Sequence, residues 1–126
     1  MEKFHRQAPL EAAVLAVVGA SATPVAVSDV QRALTGQPAY TTVMTTLSRL
    51  ADKGALVQSR DHRAYRYSLA APAESVDDAV VARRMRKLLA GRPDRASVLA
   101  RFVAALDPEE EQLLTRLLTR SEKADR

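Results

Sequence analysis

Between Ala39 and Lys53 the chain reads AYTTVMTTLSRLADK, which crowds Thr41, Thr42, Thr45, Thr46, Ser48 and Arg49 into little more than two helical turns. Hydroxyls and a guanidinium, with no base or nucleophile among them, donate hydrogen bonds and neutralise anions but do not activate a bond. Wound at about 100° per residue, Val43, Leu47 and Leu50 fall in one narrow stripe flanked by Tyr40, Met44 and Ala51. Thr41, Thr42, Thr45, Ser48, Arg49 and Asp52 occupy the opposite side, with Thr46 on the border. A helix face of small hydroxylated side chains can approach closely to the major groove of DNA. There a hydroxyl meets a phosphate or a base edge, a threonine methyl packs on the thymine methyl, and Arg49 reaches a phosphate or a guanine.

Elsewhere reactive side chains are sparse. His5 and His62 are the only histidines and there is no cysteine, so neither a metal centre nor a thiol site is expected. The sequence has no glycine-rich phosphate loop and no nucleophile elbow, and its carboxylates gather where helices begin, which capping explains. Neither an enzyme nor a cofactor is expected. The formal net charge of +4 and the pI near 9.8 lean toward a polyanionic partner. That lean is local: residues 39–70 hold five Lys and Arg against two Asp, whereas residues 71–126 hold eleven basic against ten acidic residues. No apolar run approaches the ~18 residues of a membrane span, and the N-terminus lacks the pattern of a signal peptide. A cytoplasmic location is expected, as the absence of cysteine also suggests.

The elements that must position the hydroxyl face are readable around it. Residues 1–8 read as a lead-in, Pro9 as the first turn of a helix, and Leu10, Val14, Val17 and Val18 as its apolar stripe, with Gly19 as its stop. A turn and an extended stub at 21–27 follow. Ser28 with Gln31 predicts a capping box for a short helix over 29–34, ended by Thr35-Gly36-Gln37-Pro38. Beyond the hydroxyl-bearing helix, Gly54 supplies its left-handed terminus. Residues 55–61 and 62–70 then alternate as two strands, with Tyr65, Tyr67 and Leu69 against Arg66 and Ser68, joined at a basic tip. Helix, helix, helix, hairpin is the order of a winged helix-turn-helix, in which Arg60, Arg63 and Arg66 would track the DNA backbone. The alternative is a winged-helix interaction module without sequence-specific DNA binding, whose basic hairpin contacts an acidic protein.

After a linker at 70–74, Ser75 with Asp78 predicts a capped helix bearing Val76, Val80, Val81, Met85, Leu88 and Leu89, stopped at Gly91. Its run Arg83-Arg84-Met85-Arg86-Lys87 reads as a solvated flank. Asp94 caps a second helix with Val98, Leu99, Phe102, Val103 and Leu106, and Asp107-Pro108 with three glutamates opens a third with Leu113, Leu114, Leu117 and Leu118. Three short helices bury so much Leu and Val poorly by themselves. A dimerisation region is therefore expected, with Val80, Met85, Leu88, Phe102, Leu106, Leu114 and Leu117 at its interface. The chain reads as mainly α with a small β-hairpin: a winged-helix DNA-binding domain over 1–71 and a helical dimerisation domain over 72–126.

The segments LEAAVL (10–15), VSDVQRAL (27–34), AYTTVMTTLSRLADKGAL (39–56) and RDHRAYRYSLA (60–70) resemble the penicillinase-repressor (BlaI/MecI) family. The resemblance covers most of residues 9–70 and weakens beyond residue 75. It implies a homodimeric repressor that binds double-stranded palindromic operator DNA. It places Thr41, Thr42 and Thr45 at the start of the recognition helix, Arg49 and Lys53 on its later, backbone-contacting turns, and Arg60, Arg63 and Tyr65 on the wing. It also implies a membrane sensor protease that detects β-lactam and leads to cleavage within the dimerisation region. The matching bond is Arg101–Phe102, where Arg101 stands in place of the usual Asn. The family's copper-responsive branch uses C-terminal cysteines, which this chain does not have.

Overall fold

Val14 and Val18, expected on one apolar stripe, are buried in the core, and Leu10 and Val17 pack at its margin. They belong to α1 (Glu2–Ala20) in a computed structural model that describes the backbone of residues 2–62 and 64–124 and the side chains of 9–62 and 64–122. Arg63, expected at the wing tip, lies outside the described residues. The helix begins ahead of Pro9, not at it. A proline removes one i→i−4 bond, but the turn before it forms where the preceding residues favour helix. Gly19 also has another role than the one expected. It lies inside the last turn of α1, and a Cβ there would stand 3.1 Å from Leu69 Cδ1. Its lack of a side chain lets α1 lie close to the hairpin.

The short helix α2 (Val27–Ala33) starts earlier than Ser28 and Gln31 suggest. Val27 and Val30 are both buried, so the helix is drawn in from Val27 onward. Its opening N–H is met by Asp29, whose Oδ2 accepts from Ala26 N at 3.1 Å; a carboxylate is a stronger acceptor than the Gln31 amide. Gln31 is used differently, its Nε2 donating to Pro38 O at 3.1 Å across the turn into α3 (Tyr40–Lys53). That turn passes through Gly36 and Gln37, both at positive φ.

Two antiparallel strands follow, β1 (Leu56–Asp61) and β2 (Ala64–Leu69), in a register that sets Leu56 opposite Leu69 and Asp61 opposite Ala64. The extended stub joins them: Val25 N donates to Tyr67 O at 2.9 Å and Tyr67 N to Val25 O at 2.8 Å. Three helices and this hairpin enclose one core centred on Val14, Val30, Val43, Leu47 and Tyr67. The fold is a winged helix-turn-helix. A single 3₁₀ turn (Ala73–Ser75), closed by Ser75 N donating to Pro72 O at 2.7 Å, leads into α4 (Val76–Ala90), so this backbone turn stands where the Ser75 cap was expected.

The chain divides into two compact units, Met1–Met85 and Arg86–Arg126, with the division inside α4. The second unit carries α5 (Arg95–Ala104) and α6 (Pro108–Ala124). Both begin as their sequences predict. Asp94 Oδ1 accepts from Ser97 N at 3.0 Å. Asp107 and Glu110 form a reciprocal capping box, with Glu110 N donating to Asp107 Oδ1 at 2.7 Å and Asp107 N to Glu110 Oε1 at 3.0 Å.

The Ala26 N–H bond holds the Asp29 carboxyl below its ordinary range, against the opposing effect of desolvation and with the help of Arg32, which donates to Oδ1 at 2.7 Å. A depressed native pKa adds stability above the unfolded pKa and loses it as pH falls through the native value. Asp29→Asn is therefore expected to lower Tm near pH 7, with the gap to the wild type closing below about pH 3. Thermal melts across that range check it; a gap independent of pH would show that the charge of Asp29 is not responsible.

Candidate nucleic-acid interface

One face of α3 is fully committed to the core, since Val43, Leu47 and Leu50 are buried. Thr46, on the border in sequence, is buried too at 5 % exposure, and its Oγ1 donates to Thr42 O at 2.8 Å. That bond satisfies the hydroxyl inside the core, where an unpaired one would cost about 1–3 kcal/mol. Of the clustered threonines only Thr41, Thr42 and Thr45 are presented outward, with Ser48 and Arg49 half-buried at the edge. Gly54 closes the helix at φ 91°, as its sequence position suggests.

The hairpin splits its arginines between two faces. Leu56, Gln58 and Arg60 share one face with Leu69, Tyr67 and Tyr65, their register partners. Along that face the pairs grade from apolar to basic: the buried base, then Gln58 Nε2 donating to the Tyr67 hydroxyl at 2.9 Å, then Arg60 with its guanidinium carbon 5.6 Å from the Tyr65 ring centroid. Stacking on Tyr65 holds Arg60 near the tip without cancelling its charge. Arg66 lies on the other face, opposite Ser59, with Nε 3.4 Å from Asp61 Oδ2. Arg60 and Arg66 thus do not form one track.

Lys53 is drawn away from the outward face, its Nζ 3.0 Å from Glu11 Oε1 on α1. Nothing local in sequence announces a pair between residues so far apart. The structure also opens a cleft of about 390 Å³ between α3, the start of α2 and the hairpin, lined among others by Tyr40, Met44, Arg60, Tyr65 and Tyr67. Tyr40 and Met44, which flank the apolar stripe, remain 48 % and 41 % exposed there. Sequence spacing puts them beside the core but does not show that the hairpin stands off far enough to leave them open.

Of the residues expected at a dimer interface, Val80 packs against the N-terminal core. Met85, Leu88, Phe102 and Leu117 are exposed, and Leu106 and Leu114 are half-buried. Arg101 is exposed beside Phe102 near the end of α5. Among the described residues no group of three or more His, Cys, Asp or Glu is placed to hold a metal ion, and no helix is long and apolar enough to cross a membrane.

The family model described as penicillinase repressor matches residues 7–120. The chain belongs to the penicillinase repressor family. The transcriptional regulator BlaI of Mycobacterium tuberculosis strain CDC 1551 / Oshkosh is 39 % identical over 127 residues, spanning 97 % of this chain and 89 % of the relative. The BlaI of strain ATCC 25618 / H37Rv matches to the same extent. Among solved structures, the PcaV regulator of Streptomyces coelicolor superposes with a TM-score of 0.45 at 23 % identity, covering 92 % of this chain and 74 % of that one. At that score the likeness adds nothing to the fold already described. As a penicillinase repressor, the chain is a DNA-binding transcriptional regulator of a non-enzymatic family. The hydroxyl face of α3 and the stacked Arg60 of the wing are therefore features of a repressor's winged helix.

Proposed function

We propose that this penicillinase repressor acts as a homodimer on a palindromic operator, with α3 of each copy in the major groove of one half-site. The observation that carries the reading is the outward face of Thr41, Thr42 and Thr45 on a helix whose other side is locked into the core. Thr41 and Thr42, in its first turn, meet base edges, with Thr45 behind them. Arg49, Lys53, Arg60, Arg63 and Tyr65 meet the backbone. Dimerisation uses the second half of α4 with α5 and α6, through Met85, Leu88, Phe102, Leu106, Leu114 and Leu117, while Val80 braces the N-terminal unit. What supports this is that α5 and α6 bury no described residue completely in one copy, while Leu113 and Leu117 are each 50 % exposed and Leu118 62 %.

The operator is obtained by selecting duplexes from a randomised library with the wild-type chain. On that operator Thr42→Ala is expected to weaken specific binding by about 1–2 kcal/mol while leaving non-specific binding unchanged. Arg60→Ala is expected to weaken both alike and to reduce the salt slope by about 0.9. Anisotropy titrations at several salt concentrations separate the two, and the reverse pattern would overturn this division of labour. An acidic-protein module without DNA specificity would select no consensus at all.

Leu117→Asp places a charge on the apolar face of α6. It is expected to yield a monomer by light scattering, with operator affinity lowered by about 10²-fold or more through lost bivalency. A dimer of unchanged mass would move the interface elsewhere.

The relatives' name and the family's suggest a β-lactam-responsive circuit in which a membrane sensor protease ends repression. Cleavage at Arg101–Phe102 would separate α6 and the end of α5 from the rest. That bond lies inside a helix, so the end of α5 must open locally before a protease can take it in extended form. Mass spectrometry of the repressor from β-lactam-treated cells is expected to find the two fragments. An intact chain alongside derepressed genes would exclude the cut.

A further inference from the structure

The basic run at 83–87 is not a uniform solvated flank. Arg83 leaves it to reach α3, with its Nε donating to Asp52 O at 3.0 Å. Asp52 lies in the last turn of α3, where carbonyls have no partner within the helix and the dipole is negative, so a guanidinium is doubly suited to the place. The stem of Arg83 lies across Gly54. A Cβ on residue 54 would fall 2.5 Å from Arg83 Cδ and 2.9 Å from its Cβ, too close for any side chain. Gly54 is thus required by this crossing as well as by its φ of 91°.

Val76, Val80 and Arg83 follow the i, i+4, i+7 spacing of a single helix face. Val76 is buried and Val80 packs on the same core, so the start of α4 is seated by apolar contacts. Contacts near its start leave a rod able to pivot, and a third further along fixes its course. Beyond Arg83 the same helix runs on through Met85 and Leu88, the latter 75 % exposed.

We infer that Arg83 is a positioning residue that fixes the direction of α4 against the recognition helix, and thereby the operator half-site spacing the repressor accepts. The inference rests on the dimeric reading above. A swing of about 15° about Val80 would displace Leu88, about 12 Å along the helix, by about 3 Å. That is the rise of roughly one base pair, and each added base pair also turns the second half-site by about 35°. A bond that removes so small a swing therefore has the leverage to tell adjacent spacings apart.

The test uses the full chain and the selected palindrome, rebuilt with the gap between half-sites changed by one or two base pairs in either direction. Arg83→Met keeps the stem and loses the donor. Arg83→Gln places an amide N–H at the position along the side chain that Nε occupies, and lacks the charge just as Met does. Anisotropy titrations are expected to give the wild type and Arg83→Gln one preferred spacing by about tenfold, and Arg83→Met a profile flattened to about threefold. Dimer mass and affinity for an isolated half-site are expected to be equal in all three, which reports that the variants fold and read bases normally. A wild-type profile in Arg83→Met, or an Arg83→Gln profile as flat as that of Met, overturns the inference alone. A wild type with no spacing preference overturns the dimeric reading and the inference with it.

Discussion

The rotation of α3 about its own axis governs everything this repressor presents to DNA. Val43 and Leu47 are fully buried and Leu50 nearly so. Each is worth about 1.5–3 kcal/mol relative to exposure. Turning the helix by one residue would expose most of that stripe, at a cost comparable to the whole stability of a small domain. The outward face of Thr41, Thr42 and Thr45 is therefore set by what lies behind it and needs no contact of its own. Thr46 marks the limit of that arrangement: it is buried, and it keeps its hydroxyl bonded to Thr42 O within the helix. Beta-branched residues form helices poorly, and core burial offsets that weakness here.

Charge acts through placement more than through number. The excess of basic residues over 39–70 suggests a broad positive surface, yet Lys53 is held by Glu11 and Arg66 by Asp61. Among the described residues of α3 and the hairpin, Arg49 and Arg60 enter no ion pair. The first lies at the edge of the hydroxyl face and the second near the wing tip. Paired charges at a surface add little energy but do fix side-chain geometry. Glu11 and Lys53 link α1 to the far end of α3, and Asp61 with Arg66 stiffens the end of the hairpin.

Most of the architecture was legible because it is written in local patterns. The stripe of α3, the αL glycine after it, the strand alternation and the caps at Asp94 and Asp107 each depend on residues within four positions of one another. The failures are of the opposite kind. Ser28 and Gln31 match a capping box as well as any local pattern does, but burial of Val27 moves the helix start and gives the cap to Asp29. Gly19 is a sound helix stop until Leu69 arrives beside it from the hairpin. Val80 belongs by periodicity with Met85 and Leu88, yet it faces the N-terminal core. In the candidate interface the threonine face was readable from its period, whereas the pairing of Lys53, the opening beside Tyr40 and Met44 and the reach of Arg83 all depend on chain segments distant in sequence.

The C-terminal helices pose an energetic question that their caps do not answer. Asp94, and Asp107 with Glu110, give α5 and α6 well-formed N-termini, each cap worth about 1 kcal/mol. Helices of this length are marginal in water without an apolar face to bury. One copy leaves Phe102, Leu113, Leu117 and Leu118 between 45 % and 62 % exposed. The same apolar contacts must then both order these helices and, in the dimeric reading, join two copies. Anything that weakens them lowers helix stability and bivalent hold on DNA together, while the N-terminal core and the face of Thr41 and Thr42 stay intact. That separation lets a repressor be released from DNA without any change to the surface that reads it.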